Sequence, residues 1–271
     1  MHSFFSVLAL SLGLLLAGCQ SVNTATSSTV GVERKQYMLS SISTEEINAS
    51  YATMYLETLN EAAGQGALDT SSAQARQLQE IATRLIAQVG HFRPDAVQWD
   101  WEVNLIRSDE LNANCGPGGK IIFYSGLIEK LQLTDNEIAA VMGHEIDHAL
   151  RAHSSEQISR SYGLALAKPG VSTLLGLGQL GSSVLDGAVS VGVTLPNSRE
   201  AETEADLLGI ELAARAGYDP HGAVSLWQKM EQYGGNGPAE FMSTHPAPGN
   251  RVKNLEQSIP RVMPFYRQSG S

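Results

Sequence analysis

Thr134-Asp135-Asn136-Glu137-Ile138-Ala139-Ala140-Val141-Met142-Gly143-His144-Glu145-Ile146-Asp147-His148-Ala149-Leu150-Arg151-Ala152-His153 is the stretch on which the reading of this chain turns. Thr134 and Glu137 have the spacing of a capping box, in which each side chain bonds the other's backbone N–H, so a helix is expected from there through His153. Residues four apart share one helix face, so His144 and His148 can present two imidazole nitrogens to a single metal ion. Glu145 lies beside them, placed to take a proton from a metal-bound water. Zinc suits two imidazoles plus a carboxylate and lowers the pKa of its water to about 7.

Such a site needs a third ligand. The metzincin pattern would put a glycine at position 151 and a histidine at position 154, where this chain has Arg151 and Ser154. His153 is one residue off that spacing and reads as a supporting or structural residue. A carboxylate from another helix is the alternative, and the acidic run Ser198-Arg199-Glu200-Ala201-Glu202-Thr203-Glu204-Ala205-Asp206 supplies it. Glu202 and Asp206 are four apart and share a face, so one can bind the metal while the other orients a ligand histidine.

Around this centre, the 271 residues compose an ordinary globular chain: 42% are apolar and 17% charged, which excludes a disordered protein. The net charge of −10 argues against a nucleic-acid partner, because a phosphate backbone calls for clustered cations. Two cysteines make no disulfide framework. Gly176-Leu177-Gly178-Gln179-Leu180-Gly181 matches the dinucleotide fingerprint only in letters, since no strand precedes it, and Gly119-Lys120 lacks the flanking residues of a P-loop.

Further helices are expected from Ser43, where Ser43-Thr44-Glu45-Glu46 is a second capping box, from about Ser72 to Val89, from Arg199 to Ala216, after Asp219-Pro220 to about Tyr233, and from Pro248 to Ser258. Trp99 to Leu105 alternates apolar with polar residues as a half-buried strand does, and Ile121 to Tyr124 follows the turn Gly116-Pro117-Gly118-Gly119. The Gly-rich apolar stretch 171–193 reads as packed helices or a mobile flap, and Gly234 to Gly237 as a loop. The fold class is therefore mainly α with a small β-sheet.

The N-terminus reads as an address. Phe4 to Leu16 is too short for the ~20 residues of a membrane-spanning helix, and it ends in Leu16-Ala17-Gly18-Cys19. That ending resembles the bacterial lipobox, although Met1-His2-Ser3 carries no Lys or Arg. The resemblance implies a signal peptide over 1–18, lipidation of Cys19 as the membrane anchor, and, with Gln20 next, the outer membrane. A flexible Ser/Thr/Asn-rich tether is expected over 19–32 and a single domain over 33–265.

Four segments in order resemble the HtpX-like and CAAX-prenyl-endopeptidase family of gluzincin metalloproteases, over roughly Leu78 to Leu255. They are Asn112-Ala113 with Pro117-Gly118-Gly119 and Tyr124-Ser125-Gly126-Leu127; the His144 motif; Glu202 to Asp206; and Ser243-Thr244-His245-Pro246 followed by Arg251. The resemblance implies a zincin-like domain holding one zinc ion through His144, His148 and Glu202, with Glu145 as general base. It makes His245 an oxyanion donor that at rest sits on the open zinc position, and Arg251 a clamp on Asp206, the loop or a substrate carbonyl. Lys120, Ile121, Ile122, Phe123 and Tyr124 are expected to form an edge strand beside the zinc helix, open to an extended peptide. The implied activity is an endopeptidase of the cell envelope acting on unfolded or misassembled proteins. A chaperone-like assembly factor that keeps the site and turns over rarely is the other reading, and turnover distinguishes them.

Overall fold

A computed structural model describes residues 19–22, 28–31, 34–39, 43–166, 187, 189–190, 195–234, 240–246 and 249–269. The apolar run from Phe4 to Leu16, most of the stretch 171–193 and, of the expected loop, residues 235–237 lie outside the described residues. None of the described helices is long and apolar enough to cross a membrane.

At the N-terminal end, β1 (Cys19–Val22) pairs antiparallel with β2 (Gln36–Leu39). Beyond β1, the backbone N–H of Thr29 and the hydroxyl of Ser28 both donate to Glu211, at 2.7 and 2.8 Å. The segment expected to be a loose tether is therefore held at two places. Its composition carries no sign of this, because the partners lie far along the chain.

The helix α1 (Thr44–Gly64) starts at the expected capping box: Glu46 N–H donates to Ser43 Oγ at 3.1 Å and Ser43 N–H to Glu46 at 2.9 Å. After β3 (Leu68–Asp69), α2 (Ala73–Ile86) is capped by Ser72 and buries Leu78, Ile81 and Leu85. The strands β4 (Glu102–Ile106), β5 (Ala113–Gly116) and β6 (Lys120–Tyr124) complete a four-stranded sheet in the order β3-β4-β6-β5. Trp99 and Trp101, read as strand residues, precede it and stack on each other with ring centroids 5.4 Å apart.

The edge-strand expectation for Lys120 to Tyr124 is wrong. β6 runs parallel to β4 on one side and antiparallel to β5 on the other, so both its edges are paired. Its own residues give the physical reason. Ile121 and Phe123 are fully buried with one core cluster and Ile122 with the other, and an unbroken apolar run covered on both faces marks an interior strand. The sheet edge beside the histidine helix is β5.

Helices supply the rest: α3 (Ser125–Leu131), α4 (Asp135–Leu150), α5 (His153–Leu166), α6 (Arg199–Arg215), α7 (His221–Gly234), the single turn α8 (Glu240–Thr244) and α9 (Arg251–Ser269). α4 ends three residues before the expected His153. Ala152 takes φ +52°, a left-handed conformation that breaks the helix and starts α5 in a new direction. α9 runs past the expected Ser258 through Pro260 and Pro264, held by the buried Leu255, Ile259 and Val262.

α4 is the central element, buried at every position from Glu137 to Leu150. It crosses α6 with two glycines at the contact. A Cβ at Gly143 would stand 2.9 Å from the Gly209 carbonyl oxygen, and one at Gly209 would stand 2.9 Å from the His144 nitrogen. The obstructing atoms are backbone, so neither helix can yield by turning a side chain. Gly209→Ala should therefore destabilise the fold by about 1–3 kcal/mol, the usual cost of an overpacked core. Urea unfolding checks this, and a variant as stable as the parent would show that the helices part freely.

Candidate metal centre

The α4–α6 crossing brings the two sequence motifs face to face. His144 Nε2 and His148 Nε2 lie 3.1 Å apart, and Glu202 approaches both at 3.4 Å. His245, just beyond α8, joins them: its Nδ1 is 3.0 Å from Glu202 Oε1 and 3.2 Å from His144 Nε2. One donor atom from each of these four buried residues lies within 4.8 Å of the others.

The other ring nitrogens are already engaged. His144 Nδ1 lies 3.0 Å from Asp206 Oδ1, and His148 Nδ1 lies 2.8 Å from His153 Nδ1. With both Nδ1 atoms occupied, the lone pairs left to converge are those of the two Nε2 atoms. The electrostatics also call for a positive charge here. Burial alone would lower His144, yet hydrogen bonds to Asp206 and Glu202 pull it up to about 10. Burial would raise Glu202, but hydrogen bonds from His144, His148 and His245 hold it well below the usual carboxylate range. Burial keeps His148 and His245 neutral, the latter lowered to about 4, so both rings can act as ligands. Imidazole nitrogens with one carboxylate form a donor set that fits zinc.

The surroundings hold these groups still. Arg251 opens α9 and donates from Nε to Asp206 Oδ2 at 2.6 Å and from Nη2 to Glu202 Oε2 at 2.5 Å. Its guanidinium lies 3.7 Å over the Trp227 ring from α7. Among the alternatives weighed for Arg251, the clamp on Asp206 is the one present, and Glu202 is added to it. The Phe241 ring stacks on His245 with centroids 4.4 Å apart.

Glu145 stands next to the cluster. Its Oε1 is buried without a hydrogen bond and sits 3.4 Å from His245 Nε2, while the Cys115 N–H bonds to the carboxyl group. Burial pushes the acid up to about 8, with Glu202 adding to the rise and His144 opposing it. The cluster opens on a cleft of about 460 Å³, walled by Tyr51, Met54 and Tyr55 of α1 and by the whole of β5.

The remaining sequence candidates lie elsewhere. Lys120 is tied to Asp100 and Glu102, and of the five β6 residues only Ile122 and Tyr124 reach the cleft wall. Cys19 begins β1. The sequence reading left Glu204 without a role. This carboxylate is fully buried, accepts from His153 Nε2 at 3.0 Å and pairs with Arg151 at 2.5 Å. Its place two residues after Glu202 put it in the acidic run, but the helical period put it on another face.

Comparison with known proteins bears on this centre. A family model described as peptidase family M48 matches residues 72–259. The mitochondrial metalloendopeptidase OMA1 of Arabidopsis thaliana is 35% identical over 171 residues, which is 62% of this chain and 34% of that protein. The metalloprotease YcaL of Escherichia coli is 28% identical over 56% of this chain and 59% of its own length. The beta-barrel assembly-enhancing protease of Yersinia pestis is 27% identical over 68% of this chain and 38% of its own. The chain thus spans between about a third and three fifths of these relatives' lengths.

Asp206→Asn keeps the shape of the side chain but removes the charge that holds His144 and Arg251. It should weaken zinc binding by about 10-fold or more, as loss of an outer partner of a ligand histidine does. Competition with a chromophoric chelator measures it, and unchanged affinity would remove Asp206 from the site.

Proposed function

The chain belongs to peptidase family M48, and from that membership we propose that it is a zinc endopeptidase of the bacterial cell envelope, hydrolysing unfolded or misassembled proteins. The observation that carries the reading is the convergence of His144, His148, Glu202 and His245 beside an unpartnered Glu145 oxygen. Within the family, the quoted segments are those by which the chain resembles its HtpX-like and CAAX-prenyl members. The Leu16-Ala17-Gly18-Cys19 ending supports an envelope lipoprotein anchored through Cys19, facing the periplasm from the outer membrane. A relative named for beta-barrel assembly supports substrates among proteins under assembly.

His144, His148 and Glu202 are the residues that would hold zinc. When bound, zinc supplies a Lewis acid and makes water a competent nucleophile near neutral pH. Glu145 accepts the proton of the attacking water and returns it to the leaving amine, its Oε1 being free of any hydrogen bond. His245 has two positions in this account. It rests among the ligands, as the 3.0 and 3.2 Å contacts support, and turns to donate to the oxyanion once substrate enters. Arg251, bonded to Glu202 and Asp206, holds both carboxylates in position.

Substrate binding falls to β5. Tyr124 N–H donates to Asn112 O at 3.2 Å, so by the alternation of an antiparallel ladder the outward backbone groups are those of Ala113 and Cys115; their N–H groups already bond Asn112 Oδ1 and the Glu145 carboxyl, so the outward carbonyls are what a peptide N–H meets. An extended peptide adding to this edge is recognised through its backbone, which suits a protease that meets many sequences.

Two measurements test these roles. Glu145→Gln should keep about one zinc per chain while casein-type cleavage falls by at least ~100-fold; retained cleavage would overturn the base assignment. Methylating the substrate amide that faces β5 should raise KM by about 10-fold, the order of one lost hydrogen bond. An unmoved KM would mean that the peptide lies elsewhere.

A further inference from the structure

One ion-pair chain reaches the centre from outside the family-matched region. Arg34, between β1 and β2, grips Glu156 with both terminal nitrogens, at 3.0 and 2.7 Å. Its Nε donates to Glu204 Oε2 at 3.2 Å. The same oxygen lies 3.0 Å from His153 Nε2, and His153 Nδ1 lies 2.8 Å from Nδ1 of His148. A ligand histidine that offers Nε2 to a metal carries its proton on Nδ1. His148 therefore donates to His153 Nδ1, and His153 in turn donates from Nε2 to Glu204. The direction of every hydrogen bond follows from the carboxylate at the end, which Arg151 holds by Oε1 and Arg34 by Oε2, the oxygen that faces His153.

Other contacts seat the segment that delivers Arg34. The buried Gln36 side chain donates to the carbonyl of Arg151 at the α4–α5 junction, and Ser28 and Thr29 bind Glu211 some distance away. The match to the family model covers residues 72–259, so the residues that make these contacts from the N-terminal side lie outside it.

We propose that Arg34 is a positioning residue for the zinc ligand His148, acting through Glu204 and His153, and that residues 34–36 are thereby part of the metal centre. The inference rests on the zinc site proposed above.

The test is zinc affinity of the full chain, read by chelator competition, together with the visible spectrum of the Co²⁺-loaded protein. Arg34→Gln should weaken zinc by about 10-fold and shift the cobalt bands, since ligand orientation changes. Ser28→Ala loosens the same segment at Glu211, away from His153, and should alter neither readout. In a His153→Ala background, Arg34→Gln should cost nothing further, because the link is already cut. Equal losses from Arg34→Gln and Ser28→Ala, or additive losses in the double variant, would overturn the proposal in favour of a general brace. Should His153→Ala not fold, the comparison of the two single variants decides. A parent chain that binds no zinc would refute the zinc reading itself, whereas zinc bound with equal affinity by Arg34→Gln would refute only this inference.

Discussion

The contact between Gly143 and Gly209 is the constraint from which the centre follows. Two helices whose backbones touch leave no room for side chains at the crossing, so the residues just beside it are forced together. On α4 those residues are His144 and, a turn later, His148; on α6 they are Asp206 and Glu202, one and two turns before the glycine. Glycine costs a helix roughly 0.5–1 kcal/mol relative to alanine. Here that local loss brings carboxylate oxygens within reach of ring nitrogens on a different helix.

Bringing so many ionisable groups into the interior creates a second problem, because a buried charge without a partner is strongly destabilising. The fold answers it asymmetrically. Glu202 and Asp206 share Arg251, and Glu204 has Arg151 and Arg34. Asp147 lies within the motif but has no hydrogen bond to either oxygen, and burial pushes its carboxyl well above the ordinary range. Carboxylate charge is supported where an arginine reaches it, beside the ligand histidines at Glu202 and Asp206 and one histidine further out at Glu204.

Much of this was legible from local patterns. The capping boxes at Ser43 and Thr134 place two helix starts, and the four-residue spacings place His144 with His148 and Glu202 with Asp206. What escaped notice depends on contacts distant in sequence. The short apolar run of β6 does not name its partner strands, although Ile121, Ile122 and Phe123 in succession point to two covered faces. The break at Ala152 has no Gly or Pro to announce it; the tertiary contact between His148 and His153 accompanies it. Arg34 is 170 residues from Glu204, and nothing nearby distinguishes it from any surface arginine.

The double grip of Arg251 also bears on the order of assembly during synthesis. A ribosome releases the chain from its N-terminus, so the carboxylates at 202 and 206 emerge well before the guanidinium at 251 that neutralises them. Until then, closing α6 onto α4 buries two carboxylates offset only by the histidines that face them, and buried charge that is incompletely paired is costly. The contact between the two motifs is therefore weaker on a chain whose Arg251 has yet to emerge, which ties completion of the centre to the arrival of α9.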